Sequence, residues 1–174
     1  VKKGRIQSVG VSNYSAAQMA LAHQYLAENG IPLAVNQVPY SLLTRQIEQN
    51  GVLEKAKQLG VTILAYSPLA QGLLTGKYTP ESAKTLQGAR RIDPRFSPKG
   101  LQKLEPLFSA LKDLSAKYDK TLAQVSLNWL VAQGNIIPIP GAKNANQAKQ
   151  NAGALGWSLT PEEVELLRQK APKA

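Results

Sequence analysis

Strand-like and helix-like stretches alternate along this chain, and that alternation limits the fold more than any other feature. Apolar, β-branched runs occur at Ile6 to Val11, Leu33 to Val38, Val61 to Tyr66 and Ile136 to Ile139, with amphipathic helical patterns between them. Neighbouring strands joined through a helix are parallel, because the chain must cross back before it can pair again, and such crossovers are right-handed. In parallel α/β sheets the functional residues gather where the strands end. The strand ends here carry Ser12 and Asn13, then Gln37, then Tyr66 and Ser67, then Gly141 with Lys143.

Local signals punctuate the helices. Ser15 with Gln18, Thr121 with Gln124, and Thr160 with Glu163 have capping-box spacing, and Gly30 and Gly60 stand where helices stop. Met19, Ala22 and Leu26 mark one face of the first helix, and Val52, Ala56 and Leu59 one face of the second. Leu101, Leu104, Leu107, Leu111 and Leu114 predict one amphipathic helix, with Pro106 tolerated only near its first turn. The helix through Val125, Trp129 and Leu130 is apolar nearly all round and should be buried. Thr79 to Gly100 is polar, basic and too long for an ordinary connection, so it is expected to be a functional loop. Gly10, inside the first strand, implies a close approach of backbone or ligand.

The 174 residues suit one domain with a real core. There is no cysteine and only one histidine, His23, which excludes disulfides, thiolate zinc sites and histidine metal clusters. His23 is expected to be an ordinary helix residue, since no carboxylate or nucleophile accompanies it in sequence. No run approaches the about 18 to 20 apolar residues of a membrane span, so a soluble protein without membrane contact is expected. The net charge of +10 suits an anionic partner. Its densest stretch, Lys84 to Lys103, lacks interleaved aromatics apart from Phe96, which argues against nucleic acid.

The stretch from Asn135 to Asn151 combines a strand, a turn at Gly141 and a helix opening at Asn144. Two readings fit it. A helix N-terminus with Lys143 beside it is an anion site, because free N–H groups and the helix dipole both favour negative charge. Alternatively, Asn144 and Gln147 simply cap the helix and Lys143 is solvated.

Four segments in order, GVSNYS, NQVPYSLL, AYSPLAQGLLTGKY and IPGAKNANQAKQN, resemble the aldo-keto reductases, and the match covers essentially the whole chain. The segments YSPLAQGLLTGKY and LNWLVAQGNIIPIPGAKN are most similar to plant-plastid and cyanobacterial members, which implies a plastid stroma or cytoplasm. The resemblance implies an α/β fold, the C-terminal half of a TIM-type (β/α)8 barrel from strands five to eight plus the C-terminal helix. It also implies NADP(H) bound across the strand ends. Matched residue by residue, Ser12, Asn13 and Gln37 would hold the nicotinamide carboxamide, and Tyr66 would stack on its ring. Ser67, Pro68, Leu69, Gln71 and Lys77 would follow the pyrophosphate. Gly141, Lys143, Asn144, Gln147, Gln150 and Asn151 would take the adenosine and its 2′-phosphate. Many members carry a lysine where Gly141 stands and an arginine where Gln147 stands, which leaves both NADP and NAD open.

The family's acid–base residues, an Asp, a Tyr, a Lys and a His, come from strands that precede this chain's first. Tyr14, Tyr40 and Tyr66 do not replace them, because a phenol needs a neighbouring Lys and His to pass its proton. The implied function is therefore the cofactor-binding half of a reductase of aldehydes or ketones. The alternative is a nucleotide-binding or assembly module without chemistry. A half-barrel exposes two strand edges and an apolar interior, so self-association or pairing with an N-terminal half-barrel is expected.

Overall fold

The computed structural model describes residues 1–79, 81, 86 and 88–172. The elements run β1 (Val9–Ser12), α1 (Ala16–Ala27), β2 (Leu33–Pro39), α2 (Val52–Leu59), β3 (Thr62–Tyr66), α3 (Ala89–Ile92), α4 (Pro98–Lys103), α5 (Glu105–Tyr118), α6 (Leu122–Val131), β4 (Ile136–Pro138), α7 (Ala145–Ala152) and α8 (Pro161–Lys170). All strand pairs are parallel, and the sheet order is β1-β2-β3-β4. This is the architecture the alternation predicts.

Register sorts the side chains onto two unlike faces. Asn36 stands beside Ile63, which stands beside Ile136, and all three are buried. Gln37, Leu64 and Ile137 form the next row on the opposite face, where Ile137 is 53% exposed. Because side chains alternate along a strand, the first row lies under the helices and the second faces outward. Asn135 fixes the register of β4: its Nδ2 donates to Val61 O at 2.8 Å and its Oδ1 accepts from Thr62 Oγ1 at 2.8 Å.

Met19, Val52 and Ala56 fill the space beneath β2 and β3, while Leu107, Leu111, Trp129, Leu130 and Leu167 pack α5, α6 and α8 together. Each of the larger aliphatic side chains, Met19, Val52 and the leucines, contributes about 1.5–3 kcal/mol through its removal from water. The Trp129 indole also donates to Val164 O at 3.0 Å, so no polar atom of the ring is left unpaired.

The three capping boxes form as spaced: Ser15 with Gln18, Thr121 with Gln124, and Thr160 with Glu163. Gly60 closes α2 in the left-handed conformation, at φ 66°. Three expectations are corrected and one is located. The first strand begins at Val9 rather than Ile6, since pairing with β2 starts at Val9 beside Leu33 and Ile6 is exposed. The helix expected from Leu101 to Leu114 is two, α4 and α5, separated at Leu104. Pro106 has no N–H to give an earlier turn, so it opens α5 instead of continuing α4. The close approach implied at Gly10 is made by the neighbouring strand: a Cβ there would stand 2.3 Å from Val35 Cγ2 and 3.3 Å from Val35 O. Finally, the segment expected as a loop from Thr79 to Gly100 is helical from Ala89 onward, in α3, a 3-10 turn at Pro94–Phe96 and the start of α4. Residues 80, 82–85 and 87, including Lys84 of the basic stretch, lie outside the described residues.

Candidate functional site

The strand ends bring Ser12, Asn13, Gln37 and Tyr66 together. Ser12 is in register with Gln37, and its Oγ donates to Gln37 O at 3.0 Å. One residue on, the Asn13 N–H donates to the same carbonyl at 2.9 Å. Asn13 has φ 57°, a left-handed conformation that asparagine tolerates better than most residues and that turns the chain out of the sheet. Its Oδ1 accepts from the Tyr66 hydroxyl at 3.3 Å, although 53 residues separate the two. An aromatic ring, two amides and a hydroxyl thus share one end of the outward face. Such a set can hold a planar amide-bearing ring.

After Tyr66 the chain curls tightly. Ser67, Ala70 and Gln71 have φ of 51°, 47° and 57°, and Gly72 follows at 94°. Non-glycine residues in this region cost roughly 1–2 kcal/mol each and cluster at binding sites. The curl is anchored by Pro68, Ala70, Leu73 and Leu74, which are buried, while Ser67 and Gln71 are exposed and Leu69 is half-buried. Lys77 folds back beside Gly72, where a Cβ would lie 3.6 Å from its Nζ. The Lys77 ammonium lies 5.1 Å from the centre of the Tyr78 ring, and the Arg90 guanidinium carbon 6.0 Å from it. Two cations therefore flank one ring at the end of the curl.

The third part is the turn into α7. Asn144 caps the helix by accepting from the Gln147 N–H at 3.0 Å. Gln147 reaches one residue beyond a capping box, its Oε1 accepting from the Lys143 N–H at 2.7 Å. Asn151 Nδ2 donates to Gly141 O at 3.4 Å, and Gln150 O accepts from Gln124 Nε2 at 2.9 Å. Residues 141–150 are all exposed, and a Cβ at Gly141 would meet nothing within 4 Å. The capping reading of this stretch is thus correct as local structure, and it leaves the Lys143 side chain turned to solvent at a helix start. The caps occupy the N–H groups of Gln147 and Lys143, so an anion here would rely on the Lys143 ammonium and the remaining first-turn N–H groups.

Sequence reasoning assigned no role to two residues in this region. Asn36 is fully buried and hydrogen-bonds the backbone of Tyr14. Its signal was present: an amide at a strand position in phase with buried Val38 must find partners. Arg90 had no such signal, because its proximity to the Tyr78 ring arises only in the folded chain. Among the candidate phenols, Tyr40 is buried; burial, reinforced by its hydrogen bond to Glu48, raises its pKa above that of an ordinary tyrosine. It is a weaker acid for that reason.

The Aldo/keto reductase family model matches residues 1–172. Pyridoxal reductase from the Arabidopsis thaliana chloroplast is 40% identical over 99% of this chain, which covers 47% of that protein. Probable pyridoxal reductase 2 of Schizosaccharomyces pombe is 37% identical over 95% of this chain and half of its own length, 50%. Among solved structures, the glycerol dehydrogenase of Gluconobacter oxydans superposes with a TM-score of 0.84 at 31% identity, over 97% of this chain and 50% of that one. The chain thus spans about half the length of the relatives it matches. A family match from end to end, on a parallel sheet of the same shape, leads to one conclusion: this chain belongs to the aldo/keto reductase family.

Proposed function

We propose that this chain is the NADP(H)-binding half of a reductase that transfers hydride between NADPH and an aldehyde or ketone. The observation that carries the reading is the meeting of Ser12, Asn13, Gln37 and Tyr66 at one end of the outward sheet face.

The donor set fits the cofactor. Amides and a hydroxyl complement a carboxamide in both its donor and acceptor groups. Tyr66 offers a flat ring for stacking, which orients a nicotinamide while one of its faces stays open. Ser67, Pro68, Leu69, Gln71 and Lys77, in the curl after Tyr66, would follow the pyrophosphate, with Arg90 adding a second cation at the Tyr78 ring. Gly141, Lys143, Asn144, Gln147, Gln150 and Asn151 would take the adenosine end, where the helix start and Lys143 favour a 2′-phosphate. The cofactor, when bound, supplies the hydride. The protein's part is to hold the ring, shield it from water and neutralise the phosphates.

Proton transfer to the carbonyl would come from a partner, an N-terminal half-barrel of the same family seated on the outward face. Val35, Leu64, Ile137 and Ile139 give that face its apolar surface, and among the described residues the outer edges of β1 and β4 pair with no strand. The pyridoxal reductases among the relatives point to an aldehyde of the pyridoxal kind as a substrate, and the chloroplast relative to a plastid setting. Among the described residues, no helix is long and apolar enough to cross a membrane.

Titrating the 174-residue chain with NADPH and NADH, and repeating with Tyr66→Ala, tests the reading. The expected result is saturable NADPH binding that the substitution weakens, with carbonyl reduction restored by adding an N-terminal half of the family. A folded chain with no affinity for either nucleotide would refute it.

A further inference from the structure

Asn36 is the one fully buried side chain amide of β2, and it lies on the face that the helices cover. Its backbone partners lie in the turn before α1 rather than on a helix. Nδ2 donates to Tyr14 O at 3.0 Å and Oδ1 accepts from the Tyr14 N–H at 3.4 Å, with Met19 Sδ 3.7 Å from Nδ2. Resting on the cofactor reading above, we infer that Asn36 is a positioning residue for the nicotinamide end of the site, acting through the backbone of Asn13 and Tyr14.

The geometry gives the reason. β1 leaves the sheet after Ser12, and the left-handed turn at Asn13 takes the Tyr14 N–H and C=O away from β2. Both groups would then be stranded at the edge of the core, where an unpaired backbone group is costly. The Asn36 amide carries the same donor and acceptor as a peptide group and serves as the missing strand partner. Ser12, Asn13 and Tyr14 are therefore each fastened to Asn36 or Gln37: Ser12 and Asn13 from the strand edge, Tyr14 from beneath. Asn13 lies between two fixed neighbours, and its Oδ1 is thereby set opposite the Tyr66 hydroxyl.

Asn128 provides the contrast. It is equally buried and equally saturated, with Nδ2 donating to Ala154 O and Trp157 O and Oδ1 accepting from the Leu159 N–H. Its partners include none of the strand-end residues. Loss of Asn128 should weaken the fold alone, whereas loss of Asn36 should also misplace one end of the ligand site.

The test compares the unsubstituted chain, Asn36→Leu and Asn128→Leu in titrations with NADPH and with 2′,5′-ADP, which has the adenosine and 2′-phosphate but no nicotinamide. Amide hydrogen exchange at Tyr14 is measured in parallel without ligand. Asn36→Leu is expected to speed Tyr14 exchange, to weaken NADPH about tenfold, in keeping with lost hydrogen bonds, and to leave 2′,5′-ADP within about twofold. Asn128→Leu is expected to lower the urea midpoint without changing the ratio of the two affinities. If Asn36→Leu fails to fold, Asn36→Ser, whose hydroxyl is too short to bridge both Tyr14 atoms, carries the same comparison. Equal weakening of both ligands, or none, overturns the positioning role while the cofactor reading stands. An unsubstituted chain that binds neither ligand overturns the cofactor reading and the positioning role with it.

Discussion

Helices α6 and α7 flank the same strand and are both opened by a side-chain cap, yet they are held in opposite ways. In α6 every residue from Val125 to Leu130 is buried, whereas no residue of α7 is. The first is fixed by packing and the second by hydrogen bonds, at its own start and from Gln124 of α6 to Gln150 O. Elements with few buried contacts open at the lowest free-energy cost, and ligand-binding segments are drawn from that group. The contrast thus separates the part of the molecule that packing holds from the part that packing leaves exposed.

Replacing Trp129 by alanine should break the packed side outright. The ring is fully buried against Tyr40, with centroids 5.5 Å apart, and its loss should cost about 3–5 kcal/mol in urea denaturation. A shift of under about 1 kcal/mol would mean that α6 is not the anchor that its burial implies. Asn128→Leu comes next, at about 1–3 kcal/mol, because it strands the carbonyls of Ala154 and Trp157 and the Leu159 N–H.

A smaller effect, confined to acid pH, is expected at Glu163, which ties α8 to α5. Desolvation raises its pKa, but hydrogen bonds from Lys117 at 2.6 Å and Tyr118 at 2.6 Å outweigh it, and the carboxyl sits below its usual range. A lowered carboxyl pKa contributes stability that is present above the unfolded value of 4.5 and is lost as pH falls through the folded one. Glu163→Gln should therefore flatten the fall in stability below about pH 4.5, read as the pH dependence of the urea midpoint. An unchanged acid limb would show that the carboxylate contributes nothing there.

On the exposed side, Asn144→Ala removes the cap of α7 and should cost about 1 kcal/mol locally. Hydrogen exchange should quicken at Gln147 while the global midpoint barely moves, and a full global shift would mean that α7 unfolds together with the core. Lys143→Ala is the smallest in stability, within about 0.5 kcal/mol, since the side chain is exposed. It should still narrow any preference for NADPH over NADH. An unaltered preference would remove Lys143 from the 2′-phosphate site.

Much of this was legible in the amino-acid order. The alternation of strands and helices gave the parallel sheet, Ser15, Thr121 and Thr160 announced their helices, and the even apolarity around Trp129 foretold its burial. The strand-end residues Ser12, Asn13, Gln37 and Tyr66 were also identifiable, by their place after apolar runs and by resemblance. These signals are local or periodic, so a linear reading can find them. Three features were not legible in that way: the Asn36 amide on Tyr14, the Tyr66 hydroxyl on Asn13, and Arg90 over Tyr78.

By itself, the sequence determined the four strand segments, the capped starts of α1, α6, α7 and α8, and which family's motifs stand at the strand ends. Only the tertiary structure decided where β1 begins, which face of the sheet stays open, and which buried amide holds the turn at Asn13. Caps and periodicity act within a few residues, whereas these features depend on strand register and on groups tens of residues apart, and such pairs meet only when the sheet has formed.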